Sequence, residues 1–243
     1  SLMAAMGTRP RRIVLGFLVS SAIISMWVSN TATAMMILPI ATSVLTLLPR
    51  EADARRALHG FDTALMLSVA YGATTGGMAT LIGTPPNALL ASYVNETYGI
   101  ELGFGRWMLL GVPVMLVTLP IVYLVLTRVS FRLGEADVPG MADLIARERA
   151  RMGRISRPEI LVGIVFTLTA LAWVFQPLIA RVAPLVSDTT IAIAGAVALF
   201  LIPVDARRGR FLMDWASTRT LPWEVLLLFG GGLSLASQIE RHG

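Results

Sequence analysis

The chain alternates long apolar runs with short polar or basic breaks. Ile13–Val28 and Ala32–Leu48 are two such runs, separated by Ser29-Asn30-Thr31. Phe61–Val94 is longer and is interrupted at Gly83-Thr84-Pro85-Pro86-Asn87. Trp107–Thr127, Ile160–Leu178, Thr189–Val204 and a last run from Pro222 to about Ile239 follow. A membrane-crossing helix needs about 20 predominantly apolar residues. Residues 107–127 and 160–178 therefore read as ordinary spans, whereas each of the first two runs is short for one.

The interruption at 83–87 predicts a broken helix. Proline lacks the N–H donor that a helix interior uses and clashes with the preceding turn, yet it suits the first turn of a new helix. One helix should end ahead of Pro85 and another begin there, with Thr84 as N-cap; the competing reading is a proline kink in a continuous helix. Asp62 is the expected cap of the first half. Ser156-Arg157-Pro158-Glu159 has capping-box spacing for the helix that follows, and Ser187 or Asp188 caps the helix from Thr189. Between Leu133 and Arg157 the charge density rises. Met141, Leu144, Ile145, Met152 and Ile155 share one helical face there, which predicts an amphipathic helix lying on the inner membrane face or against a partner.

Composition places this pattern in a lipid setting. The chain is 55% hydrophobic and 14% charged, against roughly a quarter charged in soluble domains. The fold class expected is all-α: a polytopic membrane protein with a re-entrant helical hairpin and a broken transmembrane helix. With no cysteine, disulfides and Cys-based metal sites are excluded. The net charge of +5 does not point to nucleic acid, because every basic residue is arginine and the arginines flank apolar runs. Arg9, Arg11 and Arg12; Arg50, Arg55 and Arg56; Arg128 to Arg157; and Arg207, Arg208, Arg210 and Arg219 fall in four segments that alternate to one side. Only Arg106 and Arg181 fall in the segments assigned to the other, with Arg241 near the end. By the positive-inside rule the arginine-rich side is cytoplasmic. In "SLMAAMGTRPRR" no secretory signal is visible, since no apolar stretch stands ahead of its arginines. The chain starts just ahead of one apolar run and stops just after another, which reads as a piece of a longer protein.

Both outer ends of the first two runs carry arginines, so both lie on the cytoplasmic side. A tight pair of spans and a re-entrant hairpin ending inside the bilayer both fit. The tip favours the hairpin: external turns usually carry Gly, Pro, Asp or charge, whereas Ser29-Asn30-Thr31 offers only uncharged hydroxyl and amide groups, suited to burial in protein near the midplane. Helices begin after both breaks, near Ala32 and at Pro85. A helix N-terminus presents free N–H groups and roughly half a positive charge, so two such ends aimed at one cavity attract an anion. Carbonyls left at the preceding helix ends suit a hard cation such as sodium, a combination that transporters use. "GATTGG" at Gly72–Gly77 has GxxxG spacing and reads as close helix packing, as does Gly230-Gly231-Gly232, which has no βαβ context for a dinucleotide loop. No charged residue lies deep in a span and no nucleophile–base pair or metal-ligand cluster is visible. This argues against an enzyme, an intramembrane hydrolase in particular, and against a proton pump built on buried carboxylates.

"SMWVSNTATAMMILPIA", "GGMATLIGTPPNALLAS" and "LPWEVLLLFGGGLSLA" resemble signatures of the divalent anion/sodium symporter family, which carries dicarboxylates, tricarboxylates and sulfate. The resemblance runs through essentially the whole chain. It implies two inverted repeats, incomplete here, each with a re-entrant hairpin tipped by Ser-Asn-Thr, and an elevator-like motion of a transport domain against a dimerising scaffold. Residues 1–132 would then be the transport-domain part, with hairpin 12–48, broken helix 61–94 and span 107–127. Residues 133–157 would be the linker arm, and 158–243 scaffold and the start of the second repeat. The resemblance further implies that Ser29, Asn30 and Thr31 contact a substrate carboxylate, with Thr84 and Pro85 beside them. Ser25, Ser29, Asn30 and the loop at Gly83 would form a sodium site. No second Ser-Asn-Thr occurs, so half of the substrate site and a second sodium site would lie elsewhere. The partners expected are a small anionic substrate, sodium as the coupling ion, the lipid bilayer and a second copy of the chain, with no organic cofactor and no nucleic acid. The location expected is the cell membrane, with the hairpin entering from the cytoplasmic side. The rivals are a sodium-independent anion exchanger of the same fold and a structural or channel protein in which the breaks serve packing alone.

Overall fold

The computed structural model describes residues 7–48, 58–134, 137–153, 155–205 and 209–221, with residues 223, 227, 230–232, 234, 235 and 238. The described residues are mostly helical: α1 Pro10–Ser25, α2 Asn30–Leu45, α3 Phe61–Gly77, α4 Pro85–Tyr98, α5 Phe104–Leu124, α6 Met141–Met152, α7 Arg157–Val174, α8 Gln176–Val182 and α9 Asp188–Leu201. A short antiparallel pair, β1 Pro203–Asp205 and β2 Arg210–Phe211, follows. The chain divides into two compact units, one up to Arg154 and one from Ile155.

In the first unit, α1 and α2 form the expected hairpin and α3 and α4 the expected broken helix. Each hairpin arm is 16 residues, about 24 Å at the α-helical rise, short of the roughly 30 Å hydrocarbon layer. The α1 backbone rests directly on α3. A Cβ added at Gly72 would stand 2.4 Å from the Leu18 carbonyl oxygen, and one at Gly76 2.1 Å from that of Ala22. The packing reading of "GATTGG" is therefore met at these two glycines. At the base of the hairpin, Val14, Phe17, Ala41, Val44, Phe61 and Leu65 are buried in one cluster. Burying apolar surface of this kind contributes about 1.5–3 kcal/mol for each large side chain when water is the alternative; toward lipid, close packing takes over that role. After α5 the helix widens by a π turn over Val125–Ser130, and the chain returns to the same base. Val138 N–H donates to the Thr8 carbonyl at 3.1 Å, and the Arg11 guanidinium donates to the Leu133 carbonyl at 2.7 Å.

Two expectations change here. Asp62 does not cap α3: Gly60 occupies the N-cap in the left-handed region, φ 76°, with the Phe131 ring packed where a side chain would stand. Asp62 instead sits in the first turn, its charge toward the positive helix end. Helix α6 is amphipathic as expected, but Met141, Leu144 and Ile145 of its apolar face are covered by its own chain. Met141 is buried in the hairpin-base cluster, and Leu144 and Ile145 pack against it. Ile155, assigned to the same face, lies beyond the helix in the second unit and is exposed.

In the second unit the capping box forms as expected. Ser156 N–H donates to Glu159 Oε2 at 2.7 Å and Glu159 N–H donates to Ser156 Oγ at 3.4 Å. The span read as 160–178 is interrupted at Phe175, where α7 ends and α8 begins; Pro177, which has no N–H to give the preceding turn, sits in the first turn of α8. Ser187, not Asp188, caps α9, accepting from Thr190 N–H at 3.2 Å. That helix stops at Leu201 rather than Val204, since Pro203 pushes Ile202 into extended backbone. Among the described residues, Phe104–Ser130 and Arg157–Val174 are long and apolar enough to cross a membrane, and α2 and α9 are shorter apolar helices. The expected last span, 222–239, falls largely outside the described residues.

Candidate functional site

The breaks at the hairpin tip and in the broken helix meet. Helix α1 ends at Ser25 and α2 starts at Asn30. Ser29 caps α2 through its side chain, Oγ accepting from Ala32 N–H at 3.3 Å. The side chain of Ser25, buried, donates to Asn30 Oδ1 at 2.8 Å across the turn. From the other break, Gly83 presses onto the same turn: a Cβ there would lie 2.9 Å from the Ser25 carbonyl oxygen and 2.5 Å from that of Gly77. Thr80 Oγ1 donates to the Met26 carbonyl and accepts from Gly83 N–H at 3.1 Å.

The loop between α3 and α4 is held on every side. The carboxamide of Asn87, buried in the first turn of α4, donates to the carbonyls of Gly77 and Thr80, both at 2.8 Å. This satisfies groups that a broken helix would otherwise leave orphaned. From α5, Trp107 Nε1 donates to the Met78 carbonyl at 3.0 Å, and Gly111 lets α5 lie against the loop: a Cβ there would stand 2.6 Å from the Met78 oxygen. Trp27 at the tip stacks on Phe104, with ring centroids 6.2 Å apart.

Of the residues singled out in the sequence, Ser25, Asn30 and Gly83 converge directly. Ser29 and Thr31 are exposed at the tip. Thr84 is the N-cap of α4, with no side-chain cap bond, and Pro85 opens the helix; both are half-buried. Four further residues build the site and escaped the sequence reading: Gly77, Thr80, Asn87 and Trp107. Asn87 stood inside the quoted "GTPPN", but nothing in that string assigns its two carbonyl partners.

Chemically, the meeting point combines the start of α2, with its first-turn N–H groups and positive dipole end, the start of α4, which brings its dipole end alone because Pro85 and Pro86 carry no N–H and the Asn87 N–H is bonded to the Thr84 carbonyl at 3.1 Å, and a set of neutral oxygens. Among the described residues no three His, Cys, Asp or Glu side chains converge. A cation here would meet hydroxyl, carboxamide and carbonyl oxygen, the donor class of a hard ion. Ser25 Oγ and Asn30 Oδ1, already 2.8 Å apart, fit that requirement.

The family described as the sodium:sulfate symporter transmembrane region matches residues 1–243. The chain is 35% identical over 255 residues to the sodium-dependent dicarboxylate transporter SdcS of Staphylococcus saprophyticus, covering 100% of this chain and 48% of that protein. It is 35% identical over 250 residues to the transporter of the same name from Staphylococcus aureus strain USA300, with the same coverage. The chain thus spans about half the length of the curated relatives it matches.

Proposed function

The chain belongs to the sodium:sulfate symporter transmembrane family, a family of transporters and not of enzymes, and from that premise we propose that the protein imports a dicarboxylate together with sodium. The observation that carries this reading is the convergence of the two breaks, where Ser25, Asn30 and Gly83 come together at the beginnings of α2 and α4. The dicarboxylate and sodium named for the relatives match that chemistry.

In this reading Ser29, Asn30 and Thr31 donate to one substrate carboxylate, helped by the N-termini at Ser29 and Thr84, with Pro85 shaping the second. Sodium is cargo held by oxygens of Ser25, Ser29, Asn30 and the loop at Gly83. A dianion entering a cell with a negative interior moves against about 2.3 kcal/mol per charge per 100 mV, so two sodium ions cancel the electrical cost and a third makes uptake electrically driven. The neutral donor set suits release as well as capture, since no fixed carboxylate competes for the ion. Residues 1–132 act as the moving part, 158–243 as scaffold at a homodimer interface, and 133–157, anchored on the first unit through Met141, as the linking arm. The hairpin enters from the cytoplasmic side of the plasma membrane, as the arginine distribution implies.

Uptake of labelled succinate into proteoliposomes carrying the full-length protein tests this reading. Uptake that rises with external sodium and is competed by other dicarboxylates is expected. Succinate exchange indifferent to sodium would instead make the protein an anion exchanger. Sulfate outcompeting succinate would move the substrate class.

A further inference from the structure

Thr80 ties the two breaks together. Its hydroxyl is fully buried. It donates to the Met26 carbonyl in the hairpin turn and accepts the Gly83 N–H at 3.1 Å in the loop between α3 and α4. One hydroxyl has one proton and two lone pairs, so this arrangement uses the proton on the hairpin and a lone pair on the loop. It satisfies two main-chain groups from different segments, one of them 54 positions from Thr80 itself.

We infer that Thr80 is the positioning residue of the cation site assigned above, an inference that rests on the functional reading. Thr80 holds the two segments beside Ser25 Oγ and Asn30 Oδ1, the hairpin turn at Met26 and the loop at Gly83. By holding Gly83 against the Ser25 carbonyl it sets the spacing between the loop and the hairpin. By engaging the Met26 carbonyl it withdraws one oxygen from the ion and orients the turn that leads to Asn30. Asn87 restrains the same loop from the far side through the Gly77 and Thr80 carbonyls, so the loop has no slack in which to compensate for the loss of the Thr80 hydroxyl. The chemistry predicts a hydroxyl requirement: serine preserves both hydrogen bonds, whereas valine keeps the shape and loses them.

The test uses the full-length protein, purified and reconstituted, with two readouts. One is the sodium concentration giving half-maximal succinate uptake; the other is the sodium-dependent rise in thermal unfolding temperature without succinate. Thr80→Val is expected to raise the sodium requirement by about 10- to 100-fold, the usual effect of losing an outer partner of a metal ligand, and to weaken the thermal shift in parallel. The succinate requirement at saturating sodium should stay within about twofold of wild type. Thr80→Ser should restore both readouts. An unchanged sodium requirement in Thr80→Val, or a raised one in Thr80→Ser, overturns the inference. So does failure of both Thr80→Val and Thr80→Ala to accumulate in membranes while Thr80→Ser accumulates, which would make Thr80 a folding residue. Wild-type protein with no sodium dependence in either readout would fail the functional reading itself, a result separable from any variant's.

Discussion

The carboxamide oxygen of Asn30 occupies the place where Gly77 would carry a side chain: a Cβ built on Gly77 falls 2.2 Å from Asn30 Oδ1. Real Cβ atoms essentially never approach so closely. The last residue of α3 must therefore be glycine if Asn30 is to keep its bond to Ser25. Gly77→Ala should displace the carboxamide and reduce sodium-driven succinate uptake by about 100-fold, the scale on which a 1 Å misplacement acts. The protein should still reach the membrane. Gly163→Ala is the control, because nothing lies within 4 Å of a Cβ at Gly163 in α7. Equal uptake by the two variants would separate Gly77 from the site.

Asn30 is placed to serve both ligands of the proposed symport, through its oxygen toward the ion and its position in the first turn of α2 toward the substrate. Asn30→Ala should abolish sodium-driven succinate uptake in the full-length protein while leaving membrane expression intact. Uptake assays and membrane blots of the same preparation decide it, and undiminished uptake would remove Asn30 from the site.

Ser21 and Ser25 sit one turn apart on α1, both fully buried, with opposite consequences expected on truncation. Ser25 Oγ bonds Asn30, whereas Ser21 Oγ is buried with no hydrogen-bond partner among the described residues. A buried, unsatisfied hydroxyl costs about 1–3 kcal/mol. Ser21→Ala should therefore raise thermal stability, by roughly 1 kcal/mol, with uptake unaffected. Ser25→Ala should raise the sodium requirement. Thermal unfolding of the purified protein beside sodium titrations of uptake reads both. A destabilised Ser21→Ala would mean that its hydroxyl has a partner.

Much of the site's frame was legible because backbone chemistry announces itself locally. Pro85-Pro86 dictates a helix start from its missing donors alone, and the uncharged Ser29-Asn30-Thr31 step between apolar runs marks the turn. The partners were not legible, because they are choices between segments distant in the chain. Thr80 reads as one more small polar residue in "GGMATLIG" until the turn carrying Met26 is brought against it. Gly77 reads as a continuation of the packing pattern, although Gly72 and Gly76 face the α1 backbone and Gly77 faces Asn30. The same holds for α6: its stripe of Met141, Leu144 and Ile145 is plain in the periodicity, but periodicity cannot say whether lipid, a partner or the hairpin base covers it. The Asp62 cap failed because Gly60, with its left-handed backbone, takes the N-cap two residues earlier.

The hairpin's topology is open to a direct chemical test, since the chain has no cysteine. Two arms of 16 residues, about 24 Å each, do not carry the tip across a layer of roughly 30 Å. In the proposed topology the arginines at both outer ends hold those ends in the cytoplasm. Single cysteines at Thr8 and Thr46, near the outer ends, should react with a membrane-impermeant maleimide in inside-out vesicles and not in intact cells. A cysteine at Val28, in the tip turn, should resist the reagent in intact cells with saturating sodium and succinate present, because the tip stops within the protein. Rapid labelling of Val28→Cys from outside under those conditions would mean that the arms are two complete spans and that the tip is an external turn. The convergence of Asn30, Thr80 and Gly83 would then lie at the membrane face, too shallow to move an ion between the two sides.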